Sequence, residues 1–111
     1  ISKNNKLLGS FGVMGGQYQA AGHAYVLSQM IDFGLNPQLA LNHPRIFPNN
    51  NVLDIEDDFD LNLINELKLK GHKINYPVPP IGGGQIILMD EEKDVLIGAS
   101  DWRKDGLAIG Y

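Results

Sequence analysis

Four glycines fall close together at Gly9, Gly12, Gly15 and Gly16, in the stretch "LLGSFGVMGGQYQAAGHAYVLSQMIDFG" at residues 7–34. An apolar run enters the cluster, and a segment with helical apolar spacing leaves it. Glycines ahead of a helix leave backbone N–H groups uncovered by any Cβ, and the first helical amides have no partner within the helix. The chain must therefore run strand, glycine turn, helix. The turn is either simply tight, or it lets the backbone approach something.

The spacing narrows the second choice. It is Gly9-x-x-Gly12-x-x-Gly15-Gly16, whereas a dinucleotide fingerprint needs G-x-G-x-x-G and a P-loop needs G-x-x-x-x-G-K-[ST]. Neither is present, and no lysine follows the glycines. What remains is general: open amides at a helix start suit an anion or a developing oxyanion. On spacing alone, a structural turn and such a cradle both stand.

The rest of the chain reads as alternating strands and helices. Residues 6–11 predict a short strand. Over residues 17–33, Ala20, Ala21, Ala24, Leu27 and Ile31 recur at helical spacing, with Gly34 as the stop. Asn36-Pro37 predicts an N-cap and first helical position for "PQLALN", and Pro44 closes it. "IFPNNN" reads as a loop and "VLDIE" as a strand. Asp60 caps "LNLINELKLKG", whose expected buried stripe is Leu61, Leu63, Ile64 and Leu67, with Gly71 as the stop. "HKINY" is a strand, "PVPPIGGG" a loop, and "GQIILMD" with "VLIGAS" a β-hairpin across "EEKD". The order β-α-α-β-α-β-β-β predicts an α/β fold, a mixed sheet with packed helices, as a single domain over residues 1–111.

Composition supports that reading. The chain has 111 residues, is 43% hydrophobic and carries a net charge of −4. Nucleic-acid or membrane-surface binding asks for a cationic face, so neither partner is expected. The opening "ISKNNK" has no apolar signal-peptide core, and a targeting segment would lie outside this chain. With no cysteine, there is no disulfide, thiolate metal site or cysteine nucleophile.

Candidate catalytic groups are sparse. His23, His43 and His72 are far apart and lack metal-ligand spacing. His23, near the polar edge of its helix, suits a surface or capping role. Ser2, Ser10, Ser28 and Ser100 lie outside any G-x-S-x-G and have no histidine nearby in sequence. "DIEDDFD" lacks an EF-hand's glycine and final glutamate spacing, and reads as a solvated strand end plus a helix N-terminus. Trp102 has packing as its default role.

Three segments carry more. "GVMGGQYQAAGH…VLSQMIDFGLNPQLAL..PR", "LKLKGHKI" and "GGGQIILMDEEKDVLIGASDWRKDG.AIGY" together resemble the C-terminal part of the γ-glutamyltranspeptidase (γ-glutamyltransferase, glutathione hydrolase) family. Val13-Met14 before the glycine pair brings the likeness nearer its γ-glutamyltransferase-like acylase branch. It runs from about Leu8 to Tyr111. It departs at Trp102, where the family usually has proline, and at His43, where it usually has alanine.

The resemblance implies an N-terminal-nucleophile (Ntn) hydrolase of stacked αββα layers, made as a self-cleaving precursor. Its nucleophile is the new N-terminal threonine of the small subunit, with its own α-amine as base. It would move γ-glutamyl groups from glutathione-like amides to water or an amine, with no cofactor and no metal. The family's glycine pair falls on Gly15 and Gly16, implying that their N–H groups form the oxyanion hole. No threonine is present, so the nucleophile cannot be here. The chain is then expected to be a C-terminal fragment of the small subunit, inactive alone. Its partners would be the large subunit and the N-terminal part of the small subunit, with copies pairing through exposed strand edges. Gly110-Tyr111 would be the native C-terminus. A non-enzymatic α/β binding domain with a structural glycine turn is the alternative.

Overall fold

The structure is a computed structural model that describes residues 1–110. The expectation for a terminal Gly110-Tyr111 rests on Tyr111, outside the described residues. The strands are β1 Ser2–Lys3, β2 Lys6–Leu7, β3 Gly9–Met14, β4 Ile46–Asn49, β5 Val52–Ile55, β6 Ile74–Asn75, β7 Gly83–Asp90 and β8 Val95–Ser100. The helices are α1 Gln19–Ile31, α2 Pro37–Asn42 and α3 Leu61–Leu69, with 3₁₀ turns at Gly16–Tyr18 and Trp102–Lys104. Two compact units result: residues 1–42 with the segment from Gly82 onward, and His43–Ile81.

In the first unit, β7 lies between β3 and β8 in an antiparallel sheet, with Ser10 opposite Ile87 and Ile86 opposite Ala99. Packed against this sheet are α1 and α2. Val13, Ile86 and Ala99 join Val26, Ala40 and Leu41 among the buried hydrophobic residues. The other face of the sheet presents Met14, Ile87, Met89 and Leu96 to solvent. One α layer and one β layer are thus in place. The tail is tied to β7 by Asp101, fully buried, whose carboxylate accepts from the N–H of Gly84 at 2.9 Å and of Arg103 at 3.0 Å. The Arg103 guanidinium pairs with it at 3.2 Å and donates to the Leu41 carbonyl at 2.7 Å.

The second unit holds β4 and β5 antiparallel with β6 parallel to β5, a mixed sheet, and α3. Arg45 is fully buried and donates to the Ile81 carbonyl at 2.6 Å. Glu56 accepts from the N–H groups of Arg45 and Ile81 at 2.8 and 3.2 Å.

The local signals hold. Asn36 Oδ1 accepts from Leu39 N–H at 2.9 Å, and Asp60 Oδ1 from Asn62 N–H at 2.7 Å. Gly34 and Gly71 take positive φ. The α/β expectation of mixed strands with packed helices holds, the strands being divided between the β1–β2 pair, the antiparallel β3-β7-β8 sheet and the mixed β4-β5-β6 sheet. Several local expectations fail. "IFPNNN" is half of a hairpin, because Asn50 and Asn51 both reach the left-handed region (φ 49° and 63°) that a type I′ turn needs. α1 buries Gly22, Val26 and Gln29 rather than its alanine stripe, and Ile31 is exposed. α3 buries Ile64 while Leu61 and Leu63 stay exposed. Glu56 and Asp54 are also more than a solvated strand end, since Asp54 accepts from Asn49 and Asn75. Trp102 is exposed, with the Arg103 guanidinium 4.8 Å from its ring.

Candidate functional site

The strand before the glycine pair ends three residues later than its sequence suggests. Gly9 and Gly12 lie inside β3, so only Gly15 and Gly16 make the turn. Both take conformations that side chains rarely adopt, with φ 139° at Gly15 and 56° at Gly16. A Cβ on Gly15 would also stand 3.0 Å from the Gly82 Cα, whereas one on Gly16 would meet open space. The Gly15 carbonyl accepts from Tyr18 N–H at 3.0 Å, and the Gly16 carbonyl from Gln19 N–H. Among the described residues, nothing accepts from the N–H groups of Gly15 and Gly16. Two unbonded donors sit side by side at the start of a helical segment, where its dipole favours negative charge.

Beside the turn lies a cleft of about 350 Å³, lined by Gly12, Val13, Met14, Gln19, His23, Gly83, Gly84, Gln85 and Lys104. Among the described residues, Lys104 is its one charged lining side chain. His23 reaches the end of β3. Its Nε2 lies 3.2 Å from the Val13 N–H nitrogen, and its Nδ1 lies 2.7 Å from the Gln19 carbonyl oxygen. The capping role expected of His23 therefore falls on a strand edge rather than a helix end.

The other candidates do not converge. His43 and His72 belong to the second unit. Ser28 donates to Asp32 at 2.6 Å and Ser100 to Gln85 at 2.6 Å. No serine of the described residues bonds to a histidine. The Asp101–Arg103 pair within "GASDWRKDG" was legible as a motif, but its work in holding the tail to β7 was not.

Comparison with known proteins settles the lineage. The sequence model of one family, described as "Gamma-glutamyltranspeptidase", matches residues 1–111. The chain belongs to that family. A curated member is the "Glutathione hydrolase-like YwrD proenzyme" of Bacillus subtilis (strain 168), 28% identical over 118 residues, which span 99% of this chain and 22% of that protein. Among solved structures, a cephalosporin acylase from Bacillus halodurans superposes with a TM-score of 0.86 at 40% identity, over 99% of this chain and 22% of the other. A gamma-glutamyltranspeptidase from Pseudomonas nitroreducens gives 0.85 at 21% identity, over 100% and 58%, which speaks for the fold alone. The family chain described here thus has the α/β fold of the Ntn-hydrolases and spans about a fifth of the length of that curated relative.

Proposed function

We propose that this chain is the C-terminal part of the small subunit of a γ-glutamyltransferase-like Ntn-hydrolase, folding as one domain of that longer protein. In this reading Gly15 and Gly16 are the oxyanion hole. The observation that carries it is their pair of adjacent N–H groups, unbonded among the described residues and at the start of a helix. A threonine in the segment missing here attacks the γ-carbonyl carbon while its own α-amine takes the hydroxyl proton. The carbonyl electron pair moves onto oxygen, and the two glycine amides donate to that oxyanion. Collapse expels the amine, protonated by the same base, and leaves an ester on the threonine. Water or an acceptor amine then repeats the sequence and releases the product.

The kinship with the acylase structure supports amide cleavage as the chemistry, and Lys104 in the cleft suits a carboxylate on the acyl group. The missing large subunit and N-terminal part of the small subunit are the partners. An exposed apolar sheet face and an edge strand in β8 favour contact with them, or pairing between copies when the chain stands alone.

The test is release of a chromogenic aniline from a γ-glutamyl anilide by the full-length protein. Gly16→Ala keeps the amide; its Cβ meets open space but carries the strain of φ 56°, so it serves as the control for that strain. Gly16→Pro removes the donor and also drives φ toward about −65°, so its retained fold is checked by circular dichroism. Loss of one such donor costs about 3 to 4 kcal/mol of transition-state stabilisation, so Gly16→Pro is expected to lower kcat by roughly 100- to 1000-fold, well beyond Gly16→Ala. The chain alone is expected to be inert. Equal turnover by both variants would remove the oxyanion assignment, and turnover by the chain alone would place the nucleophile within it.

A further inference from the structure

Within β3, hydrogen bonding to β7 alternates. Met89 N–H donates to the Leu8 carbonyl, and in the antiparallel register the pairs that bond are then Ser10 with Ile87, Gly12 with Gln85 and Met14 with Gly83. Val13 N–H therefore points away from the sheet, along its outer edge. An unpaired N–H there leaves the last residues before Gly15 held on one side only.

His23 supplies the missing acceptor, and its proton position follows from geometry. A carbonyl oxygen can only accept, so the 2.7 Å contact to Gln19 puts the hydrogen on Nδ1. Nε2 is then a bare lone pair, and it accepts the Val13 N–H at 3.2 Å. Among the described residues, this is the one side-chain hydrogen bond made to residues 12–16, since neither Gly15 nor Tyr18 caps the helical segment through a side chain. The adjacent Gly22 leaves no slack: a Cβ there would stand 2.7 Å from Val13 Cγ1 and 2.5 Å from the Tyr18 ring.

We infer that His23 is a positioning residue for the reaction: through the Val13 N–H it fixes the end of β3, and so the aim of the Gly15 and Gly16 amides. This rests on the oxyanion reading above. The amides act on charge that develops only in the transition state, so loosening them lowers kcat and leaves KM in place.

The experiment compares His23→Leu with His23→Gln in the full-length protein, beside Gly16→Pro. Leucine fills the space with no acceptor. The glutamine amide oxygen reaches about where Nε2 stands. With the γ-glutamyl anilide, His23→Leu is expected to lower kcat by about 10- to 100-fold, the scale of a misplaced catalytic group, with KM within twofold. His23→Gln is expected to recover most of the lost rate. Independently of turnover, the Gly15 and Gly16 amide resonances should move in His23→Leu and stay in place in His23→Gln. Equal kcat for the two variants, or equal resonances at both glycines, would overturn the role of His23. If Gly16→Pro keeps full turnover, the oxyanion reading itself fails. If only Gly16→Pro loses it, that reading stands and the His23 proposal falls.

Discussion

Two turns leave neighbouring strands of one sheet and treat their amides in opposite ways. At the end of β7, Asp90 turns its own carboxylate inward, and Oδ1 accepts from the N–H groups of Glu92 at 3.2 Å and Lys93 at 3.1 Å. At the end of β3, Met14 has nothing to offer, and the Gly15 and Gly16 donors stay open. The first turn is self-sufficient in the manner of an Asx turn. The second leaves its donors without an acceptor among the described residues. Open backbone donors thus follow from what stands just ahead of a turn, as much as from glycine within it.

The largest expected effect tests the frame from which both turns hang. Asp101→Ala strips a fully buried carboxylate from Gly84 N–H and leaves the Arg103 guanidinium buried without its counter-ion. Removing one partner of such a pair costs about 3 to 5 kcal/mol. Chemical unfolding of the full-length protein should show a loss of that size in the transition that includes this unit. A change under about 1 kcal/mol would mean that the pair only balances its own desolvation.

Next comes a conversion of the open turn into the closed kind. Met14→Asp places a carboxylate at the same offset from Gly16 and Gln17 as Asp90 holds from Glu92 and Lys93. Met14 is half exposed, so the change should cost little stability. The new carboxylate should occupy the amides and repel an anionic intermediate, lowering kcat by roughly 100-fold, the effect of losing one oxyanion donor. Unchanged kcat would show that the amides face no reacting atom.

The smallest effect lies in the closed turn itself. Asp90 is held below the usual carboxylate value of 3.8, first by its side-chain bond with Lys93, then by the Lys93 backbone N–H. A carboxyl whose native pKa is depressed adds stability that is present above its unfolded pKa and fades as the pH falls through the native one. Lys93 is exposed and Asp90 only partly covered, so solvent screening keeps that contribution slight. Asp90→Asn should therefore lower Tm slightly at pH 7 and match the parent once acid has protonated Asp90. A Tm difference that persists at acid pH would point to the amide geometry instead.

The sequence by itself determined what is decided within a few residues. Asn36 and Asp60 cap their helices, Gly34 and Gly71 end them, and the β7–β8 hairpin closes across "EEKD", because each depends on backbone groups that chain neighbours must satisfy. The family likeness was legible for a related reason, since it is read from motifs such as Pro44-Arg45 and the Asp101 and Arg103 of "GASDWRKDG", whose order and spacing lie along the chain. What tertiary structure alone decided is which faces are covered. On α1 the apolar stripe through Ala20 and Ala24 lies outward, and the buried line is Gly22, Val26 and Gln29. Glycine and glutamine carry no hydrophobic signal; Gly22 is buried because only a missing side chain lets the helix meet Val13 and Tyr18. His23 shows the same limit. Nothing within its helix says that its bare nitrogen will find Val13 N–H ten residues back, for that N–H becomes an orphan only when β3 takes the edge of the sheet.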